Sequence, residues 1–177
     1  MVADHSLVSL AADPPVSAQA SSPVLLERRH DQPAPGIQAL RLPLSADQRS
    51  SLRGHRRSAC GRDLLLQLPR GSALLPGEAL SDAAQVTVVI VEAAAEPLLL
   101  VSSSDPLALL QAAYHLGNRH VAMELRPGQL RILQDPVLEM LLRQRGLSVE
   151  PLTAPFLPEA GAYAGGGDGG GGHQHDH

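Results

Sequence analysis

Histidine is the residue type in this chain with the clearest capacity for chemistry, and its 8 copies are unevenly placed. Two stand on either side of a Gly-Asn-Arg turn signal in YHLGNRHV, at His115 and His120. Three more, His173, His175 and His177, alternate in the terminal GGGGHQHDH with Asp176 between the last two. Neutral imidazole is a ligand for nickel, copper, zinc and iron, and a glycine run that bends at little cost suits exchangeable binding better than a rigid structural site. A purification tag or scar is the alternative for such an end; Gln174 and Asp176, interspersed among the histidines, point instead to a native metal-binding tail.

The pair at the turn is a different problem. In one continuous helix His115 and His120 would lie about 140° apart around the axis, a poor geometry for two ligands of one ion. Gly117 and Asn118 can end the helix between them, with Gly117 as a left-handed C-cap. His115 then sits in the last turn, where it complements the helix dipole and is satisfied by solvent or a carbonyl, while His120 begins the next strand. A single histidine is an inadequate site for a first-row divalent ion. Further ligands for His120 have to come from a symmetry-related His120 across a dimer axis or from the tail. His5, in the first 22 residues, is expected to do nothing.

Catalysis finds little support. HExxH, GxSxG, GxxxxGK[ST] and CxxC are all absent, so nothing marks a catalytic water, a nucleophile elbow or a phosphate cradle. Glu124 and Glu139 are expected to be solvated acids on a strand and a helix. Asp135 is expected to cap a helix, and Arg119 to neutralise nearby backbone and carboxylate groups. Cys60, the single cysteine, forms no internal disulfide and reads as a small residue in a buried or partly buried position.

The elements that must position these residues change texture along the chain. Residues 1–22 mix Ala, Ser, Pro and Asp without a sustained period and are expected to be a disordered leader. VLLERR, IQALRLPLS, DLLLQLPRG and ALLPGEAL read as short strands between turn signals with no convincing helix, giving a β-rich domain over 23–82. QVTVVIVEAAAEPLLLV then opens a second domain, over 83–155, as a strand. SSSDPLALLQAAYHLG switches to helical spacing, with Asp105 or Ser104 as N-cap and Pro106 in the first turn. HVAMELRPGQLRIL forms two strands around Pro127–Gly128, DPVLEMLLRQRG a second helix closed by Gly146, and LSVEPL a last strand. The fold class is α+β: a small N-terminal β domain, a ferredoxin-like βαββαβ metal-binding domain, and a flexible, disordered Gly/His-rich tail over 156–177.

Bulk properties narrow the partners. All 14 basic residues are arginine, and 18 acids bring the formal net charge to −4. With 1 Phe, 2 Tyr and no Trp there are no stacking platforms for bases, which argues against nucleic acid. LRGHRRSACGR nevertheless gathers Arg53, Arg56, Arg57 and Arg62 without an acid; this is either a solvated face or a docking surface for an acidic partner. No apolar run reaches membrane-spanning length and no secretory leader is seen, so the expected location is cytoplasmic, away from membranes.

YHLGNRHV, followed after a short hairpin by LQDPVLEMLLRQRG and then APFLPEAGAY, closely resembles the urease accessory metallochaperone family UreE. LPRGSALLPGEAL extends the resemblance, which covers essentially residues 24–163. It implies a non-enzymatic nickel carrier: an N-terminal β domain that binds protein partners and a ferredoxin-like domain that binds metal and forms the homodimer. By position, the essential nickel ligand is His120, one from each protomer. His115 matches a motif histidine not required for the central site, and His173, His175 and His177 match a variable tail that adds capacity. Ni(II) is the implied cargo, with Cu(II) or Zn(II) bound in vitro. The implied partners are the urease accessory GTPase and the urease apoprotein with its other accessory proteins. Some relatives place histidines beside the aspartate matching Asp135; Gln134 and Pro136 stand there in this chain, and Cys60 has no counterpart with an assigned role. Against delivery stand two other functions, a passive nickel or zinc store and a metal-independent scaffold of an accessory complex.

Overall fold

The computed structural model describes residues 22–31 and 38–160. The expected leader lies almost wholly outside these residues, and so do His5 and the tail histidines His173, His175 and His177.

The architecture is mixed α and β, dominated by sheet. Eleven strands and three helices follow one another among the described residues as β1 (Val24–Leu26), β2 (Arg28–His30), β3 (Leu40–Leu44), α1 (Ala46–Ser50), β4 (Arg53–Arg57), β5 (Asp63–Gln67), β6 (Ala79–Ser81), β7 (Val88–Ala93), β8 (Ala95–Ser102), α2 (Pro106–Gly117), β9 (Glu124–Arg126), β10 (Gln129–Leu133), α3 (Pro136–Gln144) and β11 (Ser148–Pro155). They assemble into three sheets, ordered β1-β5-β4, β2-β6-β7-β3 and β11-β8-β10-β9.

The first two sheets share a core of leucine and valine. Alternation places it: in β5, Leu64 and Leu66 are fully buried between exposed Asp63 and Gln67, and in β3, Leu42 and Leu44 are buried while Arg41 and Pro43 are exposed. Pro43 is tolerated because β3 is a sheet edge, where a missing N–H breaks no ladder. Leu26, Leu42, Leu44, Leu64, Leu66, Leu80 and Val91 belong to one cluster.

One short helix was not expected here. LPLSADQ is not all strand: Ser45 ends β3 and caps α1, its hydroxyl accepting from Gln48 N–H while the Gln48 side chain accepts from Ser45 N–H. That reciprocal pair is a capping box, enough to hold one turn of helix. Arg49 projects from it, 4% exposed, and donates to the carbonyls of Leu44 (3.0 Å) and Phe156 (2.6 Å). Phe156 is fully buried, so the segment after β11, expected to belong to a flexible tail, is packed at least through these first residues.

The apolar run at 86–102 is also divided. β7 pairs with β3 and β6, whereas β8, beginning after Ala94, pairs with β10 and β11. In the last sheet all three pairings are antiparallel. Leu99 and Val101 of β8, Ile132 and Leu130 of β10 and Val149 of β11 share one face by register, and they cluster with Ala112 and Leu116 of α2 and Leu142 of α3. Both helices therefore cover the same face. Each begins with an aspartate N-cap and a proline in its first turn: Asp105 accepts from Leu107 N–H, Asp135 from Val137 and Leu138 N–H.

Candidate metal centre

His115 and His120 both lie at the C-terminal end of α2, but not as the spacing alone suggested. Gly117 is the last helical residue and does not take a left-handed conformation; His120 does, with φ +56°. His120 also lies in the turn rather than in a strand, since β9 begins only at Glu124. The hydrogen bonds explain the exchange. Val121 N–H donates to Leu116 O (3.1 Å) and His120 N–H to Gly117 O (2.9 Å), a nested pair that closes a Schellman motif with His120 at its left-handed position. Val121 and Leu116 join the same apolar cluster, as the motif's hydrophobic contact requires. That position ordinarily belongs to glycine, because a Cβ there approaches the following carbonyl at a cost of about 1–2 kcal/mol.

His120 is exposed, and its neighbour Arg119 is turned back to donate to the His115 carbonyl at 3.1 Å. This is the backbone-neutralising role expected of Arg119. His115 is half-buried in the last turn of α2, its ring edge-on to Tyr114 with centroids 5.5 Å apart. Among the described residues no three His, Cys, Asp or Glu side chains converge as metal ligands. His120 is thus an exposed side chain on a backbone fixed by the turn's hydrogen bonds, with no further ligand set beside it among the described residues.

The segment following the turn holds what the sequence did not reveal. Glu124 is not a solvated acid: it is 5% exposed, on the sheet face opposite the helices. Its carboxylate accepts from Arg126 Nε (2.6 Å) and from Leu157 N–H (3.1 Å), with Arg131 at 3.6 Å. Burial alone would raise its pKa; the Leu157 N–H and the two guanidinium groups outweigh that and hold it below the usual glutamate range. Two residues further on, Glu159 N–H donates to Met123 O at 2.7 Å. The chain leaving β11 is therefore fastened to the strand that begins four residues after His120. Only the alternation of Glu124 with Arg126, and Arg131 opposite, could have signalled this network.

Other expected residues take lesser places. Glu139 pairs with Arg143 one turn away (2.9 Å). Cys60 is exposed rather than buried, because Ser58–Arg62 forms a tight turn with its side chain outward; its thiol lies 3.2 Å from Ser58 Oγ.

Comparison with known proteins shows which family the chain resembles. A family model described as "UreE urease accessory protein, C-terminal domain" matches residues 96–177. The chain is similar to the urease accessory protein UreE of Synechococcus sp. strain CC9311, 56% identical over 131 residues covering 74% of this chain and 84% of the relative. The UreE proteins of Parasynechococcus marenigrum (56% over 136 residues, 77% and 86% covered) and Thermosynechococcus vestitus (47% over 131 residues, 74% and 91%) are also similar.

Proposed function

Because the chain belongs to the UreE family of urease accessory proteins, and so has a role in urease maturation, we propose that it carries Ni(II) as cargo and delivers it to the urease metallocentre. His120 is the central ligand, shared by two protomers of a homodimer. The observation that carries this reading is the histidine held in the left-handed position of the Schellman motif. Gln85 takes the same backbone conformation, so the strain counts here because the side chain that bears it is an exposed imidazole.

Three further features support it. Leu107, Leu110 and Tyr114 are all exposed and spaced 3 and 4 residues apart, one apolar stripe along α2 leading to the turn. Beside it an open groove of about 430 Å³ runs between α2 and the β9–β10 hairpin, with Leu110, Ala113, Leu125 and Leu130 in its walls. A second copy laid on this stripe supplies a second His120 by symmetry, so one histidine per chain becomes two ligands. The fastening of Glu159 to Met123 starts the tail near the turn. From Glu159 to His173 is an interval of 14 residues, and a glycine-rich segment of that length has a reach of about 20 Å. His173, His175 and His177 can then join or leave the ion one at a time, and His115 stands close enough in sequence to contribute at high loading. Imidazole donors accept Cu(II) and Zn(II) as well, so supply in the cell sets the cargo.

The strand order β11-β8-β10-β9 with both helices on one face supports a ferredoxin-like dimerisation and metal-binding domain. We place its start near Ala94, where β7 and β8 part company, and assign the preceding sheets to docking of the urease accessory GTPase and the urease apoprotein with its other accessory proteins. No helix among the described residues is long and apolar enough to cross a membrane, and the proposed setting is the cytoplasm.

The test uses His120→Gly in a chain lacking residues 165–177, so that tail imidazoles cannot substitute. Relief of the left-handed strain should raise the stability of the metal-free protein by about 1 kcal/mol. Nickel calorimetry should lose the tightest site, and activation of apo-urease with the GTPase should fail. A histidine with a purely structural role predicts the opposite sign on stability. Unchanged nickel affinity in this variant rules the centre out.

A further inference from the structure

We infer that the open edge of β4 is a docking edge for an extended acidic segment of a protein partner, which adds as a strand beside Arg53–Arg57. This rests on the partner-binding part of the function above and not on nickel.

β4 pairs with β5 on one side and forms an edge of its sheet. Ladder alternation settles which groups face outward. Leu68 N–H donates to Leu52 O and Ser58 N–H to Arg62 O, so positions 52 and 58, and with them 54 and 56, turn their backbone toward β5. Arg53, His55 and Arg57 turn theirs to the open edge. Two outward carbonyls are already taken, Arg53 O by Ser51 Oγ (3.0 Å) and His55 O by Arg56 Nη1 (2.8 Å). What remains at the edge is a surplus of N–H donors.

The side chains carry the same sign. Arg53, His55 and Arg57 are exposed on one face. Among the described residues Arg53, Arg56 and Arg62 make no ion pair with an acid, and the Arg57–Asp63 pair is open to solvent on both sides. Arg56, on the inner face, donates to the carbonyls of Gln48, Ser51 and His55, while its buried Nε has no partner. Gly54 sits between the arginines at φ +121°, a conformation that a side chain would strain, and an added Cβ would come within 3.3 Å of Arg56 Nη1. A hollow of about 360 Å³ with Pro43, Gln48, His55 and Asp63 in its walls lies alongside. Charge on an edge strand opposes pairing between copies of the same chain, since like edges repel. Donor-rich backbone flanked by arginines is instead complementary to a strand bearing carboxylates, with main-chain bonds giving affinity and alternate side chains giving selectivity.

The experiment measures binding of a fluorescein-labelled peptide of alternating Glu and Val to the full chain by anisotropy, with amide chemical shifts recorded in parallel. The expected result is binding that weakens with salt, shifts centred on Arg53, His55 and Arg57, and a loss of about tenfold or more in Arg53→Glu/Arg57→Glu. His55→Pro, which deletes an outward N–H and leaves both flanking arginines, should weaken binding as well. Nickel binding should be unchanged in both variants, so failure here is distinct from failure of the metal centre. Equal binding of a Lys/Val peptide, equal binding of an Glu-rich peptide whose valines are replaced by proline, displacement by a short oligonucleotide at equal charge, or edge-to-edge dimers of the chain itself would each overturn strand addition by an acidic partner.

Discussion

The two halves of the molecule finish their surfaces differently. Among the described residues before Ala94, the exposed large apolar side chains are Leu75 and Val86; after it they are Leu107, Leu110, Tyr114, Leu125, Leu133, Val137, Met140 and Leu157. The first half folds two small sheets around their shared leucines and shows solvent an arginine-rich exterior. The second spends both helices on a single sheet face and leaves their outer sides apolar: α2 exposes Leu107, Leu110 and Tyr114, and α3 exposes Val137 and Met140. A charged edge selects a partner by charge, whereas an apolar stripe is removed from water only by a matching apolar surface. The proposed docking edge lies in one half and the proposed dimer surface in the other.

The most severe way to break this contrast is to charge the stripe. Leu110→Asp should weaken self-association at least about 100-fold, because a carboxylate seated in an apolar contact loses several kcal/mol of solvation. The sedimentation mass should fall to that of one chain at micromolar concentration. Val86→Asp, at a still more exposed apolar residue in the first half, should leave the mass unchanged. If both variants keep the wild-type mass, the α2 stripe is not the covered surface.

A second effect, on stability and not on association, separates the halves by their ion pairs. Arg41–Glu92 lies open to solvent in the first half, while Glu124 is buried in the second beneath Leu157. Glu124→Gln leaves Arg131 short of its counter-charge and should destabilise the fold by about 3 kcal/mol; Glu92→Gln should leave the midpoint of denaturation nearly where it was. The pH dependence has a definite sign. Because the Glu124 pKa is depressed in the folded protein, its contribution is full above the ordinary glutamate value of about 4.3 and is lost as pH falls through the depressed one. The margin of wild type over Glu124→Gln should therefore shrink in acid. A margin that grows with acidification would contradict the network.

Much of the second half was legible because its signals are local. Asp105-Pro106 and Asp135-Pro136 each announce a capped helix, Gly146 ends one, and Pro127–Gly128 turns a hairpin. The division at Ala94 was not, because VTVVIVEAAAEPLLLV is β-forming throughout and the sheet that a strand joins leaves no mark on the strand's own residues. α1 was missed since five residues carry no helical period, and only its Ser45–Gln48 capping box betrays it. At the turn, GNRH singled out His120 as a candidate, but its left-handed backbone was not readable. Gly117 is the obvious left-handed residue by type, yet the hydrogen bonds that the Leu116 and Gly117 carbonyls accept from Val121 and His120 N–H fix the bend three residues later. Burial of Glu124 depends on residues 33 positions away, beyond the reach of any pattern along the chain.

The smallest effect concerns Asp135, which decides whether a second metal locus is to be added to the one proposed for the second half. Its Oδ1 accepts from both Val137 and Leu138 N–H, at 2.8 and 2.9 Å, and its neighbours are Gln134 and Pro136 rather than histidines. A carboxylate oxygen occupied by two backbone donors, without an imidazole beside it, is a helix cap and a poor accessory ligand. Asp135→Ala should accordingly lower stability by about 1 kcal/mol, the usual loss of an N-cap. The number of nickel or copper ions bound per dimer should not change, because the ligands of the proposed centre lie at the other end of the helix pair's sequence. Asp135→Asn keeps a capping oxygen and removes the charge, so it should recover most of the stability. A fall in metal stoichiometry in both variants would instead place a second ion at the start of α3, and the apolar, metal-free reading of that helix would give way.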